Sequence, residues 1–285
     1  MYKINEISTD TEPFLQMMQG IAKLPKSLYL IGNLPTTKKP SVAIVGTRKP
    51  SAYGQEVAYR LAYDLAKRGV VIVSGLALGT DAIAHKAALD AGGTTIAVMP
   101  GGLDHIYPRS NHHLATRILE NAGALISEYP QGEQIFPGHF VARNRIVAAV
   151  ADGVLVVEAA VKSGTIHTAG FALDYGRPVM AVPGNITNPM SAGTNQLIAS
   201  GARLITKAED VLAEIGAAGE YVQAAFPMGD TPEETTIIKL IARGVRDGEE
   251  LQRLSSLAPS LFSQTLTMLE LTQKIRPLGG NQWGL

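Results

Sequence analysis

The sequence contains no cysteine, a single tryptophan and no excess charge of either sign. Without cysteine there is no disulfide framework, no thiolate zinc site and no cysteine nucleophile. Aromatic residues supply only 6% of the 285 positions. Twenty-five Lys plus Arg balance 25 Asp plus Glu. That balance excludes a globally basic protein, so any attraction for a polyanion must come from a local patch. No apolar run approaches the ~20 residues that span a bilayer. The opening MYKINEISTDTEP lacks a basic region followed by an apolar core, so no signal peptide is expected. These absences lead us to expect a soluble, cytoplasmic protein with no membrane partner.

What is present is a globular composition, 46% hydrophobic, with room for one large domain and a small one. Short β-branched runs punctuate the middle of the chain: Val42–Gly46, Val70–Ser74, Thr95–Met99, Ala124–Ser127, Val154–Glu158 and Val179–Val182. Each is continuously apolar, the pattern of a parallel strand buried on both faces. Between them, Gln55–Arg68, Asp81–Ala91, Asn111–Asn121, Arg143–Ala151 and Thr165–Tyr175 suit crossover helices. The alternation predicts an open, doubly wound, mostly parallel α/β sheet over residues 41–216. Residues 1–40 read as a lead-in, in which Leu24–Leu34 adds a strand or packs across the sheet. Residues 217–230 read as a linker. In residues 231–285, helices over Glu234–Arg243, Gly248–Leu254 and Ser260–Leu271 precede a hairpin turning at Gly279-Gly280, which is winged-helix order. Residues 1–216 carry 19 basic and 17 acidic side chains, and residues 217–285 carry 6 and 8. The tail is the acidic part.

Ligands of such sheets sit beyond the carboxyl ends of the strands, so the loops there are where function is expected. Gly46-Thr47-Arg48 ends the first run; it suits close approach to a ligand, or a tight turn with a surface arginine. Ser74–Asp81 holds Gly75 and Gly79, and Thr80 or Asp81 is placed to cap the next helix. Pro100-Gly101-Gly102 ends the third run. Lys162-Ser163-Gly164-Thr165 combines a cation, backbone donors and a helix start, a phosphate cradle or a plain capped turn. Phe140 precedes Arg143-Asn144-Arg145 at an expected helix start, where arginines are electrostatically disfavoured and so suggest a ligand; a solvated helix face is the bland alternative. The spacing is neither a dinucleotide fingerprint nor a Walker A loop. The six histidines form no metal-binding pattern, and no nucleophile elbow occurs. No metal and no cofactor are expected.

In this order and spacing the loops resemble one family, the DNA processing protein A (DprA/Smf) recombination mediators. The resemblance rests on AIVGTR (Ala43–Arg48), SGLALGTDAIAH (Ser74–His85), PGGLDHIYPRSN (Pro100–Asn111), SEYPQG (Ser127–Gly132), GHFVARNRIVA (Gly138–Ala148), VVEAAVKSGTIHTA (Val156–Ala169), AVPGN (Ala181–Asn185) and GTNQLIASGA (Gly193–Ala202). It implies an extended Rossmann-like domain with a small winged-helix-like one. It implies a non-enzymatic protein that binds single-stranded DNA without sequence preference, forms a homodimer and loads the RecA recombinase during DNA uptake or recombination. Single-strand-binding protein is a further partner to test. The resemblance puts Gly46, Thr47, Arg48, Phe140, Arg143, Asn144, Arg145, Lys162, Ser163, Gly164 and Thr165 at the DNA, supported by Gly75, Gly79, Gly101 and Gly102. Two positions depart from the family's pattern: Val141 replaces the proline after Phe140, and Ala142 stands where a basic residue is common. The helical N-terminal domain of many members is expected to be largely absent. Leu197, Ile198 and Leu204 are candidates for the dimer surface or for core. The alternative is a nucleotide-binding or nucleoside-monophosphate-hydrolysing protein of the same superfamily, with Glu158 as an acid.

Overall fold

The computed structural model describes residues 2–21, 23–217, 229–242, 245–272 and 274–284. They fall into two compact units, Met1–Glu220 and Tyr221–Leu285. The first is built on a nine-stranded sheet. Its strands are β1 (Asn5–Ser8), β2 (Ser27–Gly32), β3 (Ser41–Val45), β4 (Val71–Ser74), β5 (Thr95–Val98), β6 (Ala124–Ser127), β7 (Gly153–Val156), β8 (Val179–Ala181) and β9 (Arg203–Leu204). They lie in the order β1-β2-β6-β5-β4-β3-β7-β8-β9. The seven from β3 to β9 are parallel, while β2 runs antiparallel to β6 and β1 antiparallel to β2. The expected doubly wound, mostly parallel sheet is therefore the one observed.

The helices are α1 (Ala52–Lys67), α2 (Thr80–Asp90), α3 (His112–Glu120), α4 (Pro137–Ala149), α5 (Gly164–Asp174), α6 (Ala192–Ala199) and α7 (Ala208–Glu214). The chain builds outward from β3 through β4 and β5 to β6, then returns to the other side of β3 with β7, β8 and β9. The strand order thus reverses between β3 and β7, which opens a crevice there. Every residue of β3, β4, β5 and β7 is buried. Two apolar clusters line the sheet, one built around Val73, Val98 and Val154, the other around Leu76, Met99 and Leu125. Full burial of such side chains contributes about 1.5–3 kcal/mol each, so the loops at the strand ends stand on a stiff base.

Several elements differ from expectation. Helix α4 starts at Pro137, six residues before Arg143, because proline's fixed φ suits the first helical position and Phe136 is extended before it. Within residues 1–40, β2 falls in Leu24–Leu34 as allowed. Strand β1 and a 3-10 turn over Pro13–Met18 were not anticipated, nor was β9. The turn buries Phe14, Leu15 and Met18 in the main core. Strand β1 is polar and sits at the sheet edge, so it lacks a buried strand's pattern.

The second unit has helices α8 (Pro232–Ala242), α9 (Gly248–Ser255) and α10 (Pro259–Leu271), then strands β10 (Arg276–Gly279) and β11 (Gln282–Gly284). Its own core holds Ile237, Ile238, Leu251, Phe262 and Leu269. The Asp247 carboxylate caps α9, accepting from Glu249 and Glu250 N–H at 3.0 Å each. The hairpin turns at Gly280-Asn281, one residue later than expected. Both have positive φ, +58° and +62°, as a type I′ turn requires. Gly279 instead pairs with Gln282 across an irregularity in the ladder. Of the expected linker, residues 218–228 lie outside the described residues, as does Arg243.

Candidate functional site

The loop after β3 is held from two sides. Thr47 N–H donates to the Glu158 carbonyl at 2.7 Å. Its own carbonyl accepts from Thr80 N–H at 3.2 Å and from Thr80 Oγ1 at 3.1 Å. Such closeness needs glycine twice. A Cβ on Gly46 would lie 2.5 Å from Thr80 Oγ1, and one on Gly79 would lie 2.5 Å from the Thr47 carbonyl. Gly79 also has φ +76°, a conformation that favours glycine. These constraints hold the backbone and leave the Arg48 side chain exposed, with its guanidinium carbon 5.5 Å from the Phe140 ring centre. Arg48 has no ion-pair partner among the described residues. Buried Glu158 accepts from Ser51 N–H at 2.9 Å and Ser51 Oγ at 2.6 Å. Both its oxygens serve to hold the turn into α1.

Arg143 has a different task from the one expected. It is 4% exposed. Its Nη1 donates to the carbonyls of Gly75 and Val98, and its Nε donates to Asn144 Oδ1 at 3.2 Å. It therefore ties α4 to the ends of β4 and β5. Burial lowers its pKa to about 10, with Asp81 opposing and Arg48 assisting; it remains a cation. Asp81 accepts from Gly75 N–H at 3.0 Å and Ala77 N–H at 3.4 Å. Burial raises its pKa, and the Arg143 charge works against that. Neither Thr80 nor Asp81 is the cap of α2. That position is Gly79, because the chain enters with positive φ. Asp81 turns back to hold the preceding loop. A Cβ on Gly75 would overlap the Arg143 guanidinium.

A cleft of about 510 Å³ opens where the loops meet. It gathers Gly46, Thr47, Arg48, Phe140, Arg143, Asn144, Ser163, Gly164 and Thr165, together with Tyr107 and Val141. The Ser163 hydroxyl caps α5, accepting from Thr165 N–H at 3.2 Å, and Thr165 Oγ1 donates to the Gly46 carbonyl at 3.1 Å. A small apolar recess of about 50 Å³ adjoins it, lined by Leu78, Pro100, Tyr107 and Phe140 among others. Tyr107 and Phe140 meet edge to face, 5.4 Å between centres. Leu78 and Tyr107 were missed as site residues. The sequence signals for Tyr107 are its place just beyond the Pro100–Gly102 turn and within the motif PGGLDHIYPRSN.

Other expected residues lie elsewhere. Arg145 pairs with Glu128; with α4 starting at Pro137, both arginines lie beyond its first turn, so the electrostatic reason for reading them as a ligand site does not apply. Lys162 is exposed on the turn before α5 and does not line the cleft. Gly101 and Gly102 pack against Ile135 and Asp104, which leave no room for a Cβ. Leu204 is exposed on the edge strand, while Leu197 packs on the main core.

A doubly wound sheet with its cleft at the reversal of strand order is a Rossmann-like ligand-binding architecture. Comparison with known proteins makes this specific: residues 6–216 match the family described as DNA recombination-mediator protein A, and the chain belongs to that family. It is 46% identical over 197 residues to the DNA processing protein DprA of Streptococcus pneumoniae, covering 69% of each chain. It is 43% identical over 206 residues to the Escherichia coli protein Smf, covering 72% of this chain and 55% of that one. A Mycobacterium tuberculosis relative, 40% identical over 255 residues, is spanned over 65% of its length and covers 87% of this chain. The crystal structure of S. pneumoniae DNA processing protein A superposes with a TM-score of 0.69 at 41% identity, over 74% of each chain. A structure of the Helicobacter pylori protein, described for its single-stranded DNA binding mode, gives 0.67 at 34% identity, over 78% of this chain and 98% of that one.

Proposed function

We propose that the cleft between the ends of β3 and β7 binds single-stranded DNA without sequence preference, and that the protein is a recombination mediator rather than an enzyme. One arrangement carries this reading: exposed Arg48 lies over Phe140, which meets Tyr107 edge to face, beside the start of α5. Arg48 takes a phosphate, the Gly164 N–H at the start of α5 takes its neighbour, and a base packs on Phe140 and Tyr107. Every base has a π-face, so such packing tolerates any sequence. Glu158 gives both oxygens to Ser51, which speaks against its use as an acid on nucleoside monophosphates. Loading of RecA, dimer formation and a role in DNA uptake or recombination, which the family resemblance suggests, complete the proposal.

The test is fluorescence anisotropy of a labelled oligo-dT strand, with duplex DNA and AMP as competitors. The reading requires binding that both competitors displace poorly and that Arg48→Ala weakens about tenfold, the loss of one charged hydrogen-bonded contact. Displacement by AMP, or an unchanged Arg48→Ala variant, would overturn it.

A further inference from the structure

The segment joining β6 to α4 carries a second set of rings that the cleft does not use. Tyr129 and His139 stack with centres 4.2 Å apart and planes 13° from parallel. Phe136 meets His139 edge to face at 5.4 Å. Phe136 is 54% exposed, which leaves a large apolar ring in water. Buried His139 Nδ1 has no hydrogen-bond partner among the described residues, so stacking rather than a polar anchor at that atom orients the imidazole. The pair Arg145–Glu128 joins the helix carrying His139 to the residue next to Tyr129. It pins the two halves of the ring set together and explains where the charge of Arg145 goes.

Phe136 immediately precedes α4 and stands four residues before Phe140. His139, which touches both of the other rings, directly precedes Phe140 in α4, and Phe140 lines the cleft. We propose that Phe136, His139 and Tyr129 form a second nucleobase platform, receiving a base of the strand beyond the one held at Phe140 and Tyr107; this rests on the single-stranded DNA reading above. Phe136 is exposed and Tyr129 and His139 are half-buried, so the three rings present a base-sized surface. A stable protein partner buries about 800 Å² per side, and the continuity of the rings with the cleft through α4 favours a strand leaving that cleft.

The experiment compares an oligo-dT strand with an abasic strand of the same length, which keeps the phosphates and removes the bases. Phe136→Ala and, separately, His139→Ala are titrated against both, with thermal melting to show that each variant folds. Phe136→Ala is expected to lower affinity for oligo-dT by about 5- to 100-fold, the range for loss of one stacked base. The abasic strand should bind the variant as it binds the wild type, and Phe136→Trp should keep oligo-dT affinity. No loss on oligo-dT, or an equal loss on both strands, overturns the platform while leaving the cleft reading standing if Arg48→Ala still weakens binding. Loss of self-association at unchanged DNA affinity assigns the rings to a protein contact and likewise overturns it. Failure of the wild type to bind oligo-dT removes the reading on which the platform rests.

Discussion

Two buried polar side chains show how single residues support the cleft without touching a ligand. Arg143 ties three elements through backbone carbonyls, so its removal would take the donor from two buried carbonyls and the nearby positive charge from buried Asp81, a costly outcome. His85 is the second. The Thr95 hydroxyl donates to the Ile72 carbonyl at 2.7 Å, so at 2.7 Å from His85 Nδ1 it must accept, which assigns the proton to Nδ1. Nε2 is buried without a partner among the described residues. Protonation would create a buried cation with an unmet donor, and burial, aided by Arg143, lowers the His85 pKa from 6.5 to about 3. The neutral ring is the native one. Its contribution is whole above pH 6.5 and is lost as pH falls toward 3, a loss on the order of a few kcal/mol. Asp81, with its pKa raised, has the opposite sign and favours the native state in acid. Urea denaturation of the wild type and of His85→Gln between pH 7 and 4 separates the two, because Asp81 is common to both. The wild type should lose stability more steeply; parallel curves would refute the assignment.

At the scale of elements, the cleft exists because β3–α1, β4–α2 and β7–α5 approach within hydrogen-bond distance at Thr47. Gly79 is the critical position. Alanine there would hold a positive φ and place its Cβ 2.5 Å from the Thr47 carbonyl and 2.6 Å from the Arg48 carbonyl. The loop carrying Arg48 must then move. Gly79→Ala is expected to cost about 1–3 kcal/mol of stability and to weaken oligo-dT binding, since Arg48 and Phe140 lose their register. Equal affinity in a variant of lowered melting temperature would show that Arg48 does not depend on this contact. Strands β3 to β8 were legible because burial on both faces leaves continuous apolar runs. Strand β1 was not, because an edge strand needs no such run. The start of α4 lies earlier than expected because Phe136-Pro137, not the arginine pair, marks it.

The whole molecule is neutral, so binding of a polyanion must be local and must involve few phosphates. Each phosphate neutralised contributes about −0.7 to the slope of log affinity against log salt for a single strand. Oligo-dT binding measured over a salt series should therefore give a shallow slope, about −1 with Arg48 as the one exposed cation lining the cleft among the described residues. Arg48→Ala should reduce its magnitude by about 0.7. A steep slope would mean that basic residues outside the cleft carry the strand.

Composition, periodicity and the order of the glycine loops determined the doubly wound sheet, the edge at which a ligand sits and the resemblance to a family. These properties are local or nearly so: a strand buried on two faces and a turn that needs glycine leave their mark within a few residues. Only the tertiary structure decided which cations face the cleft. Arg48, on the loop after β3, and Arg143, within α4, are the same residue type, yet one is exposed over Phe140 and the other is spent on two carbonyls. Arg145 is spent on Glu128, seventeen positions away in sequence. The availability of a charge depends on which acceptors the fold brings to it, and those acceptors come from distant strands.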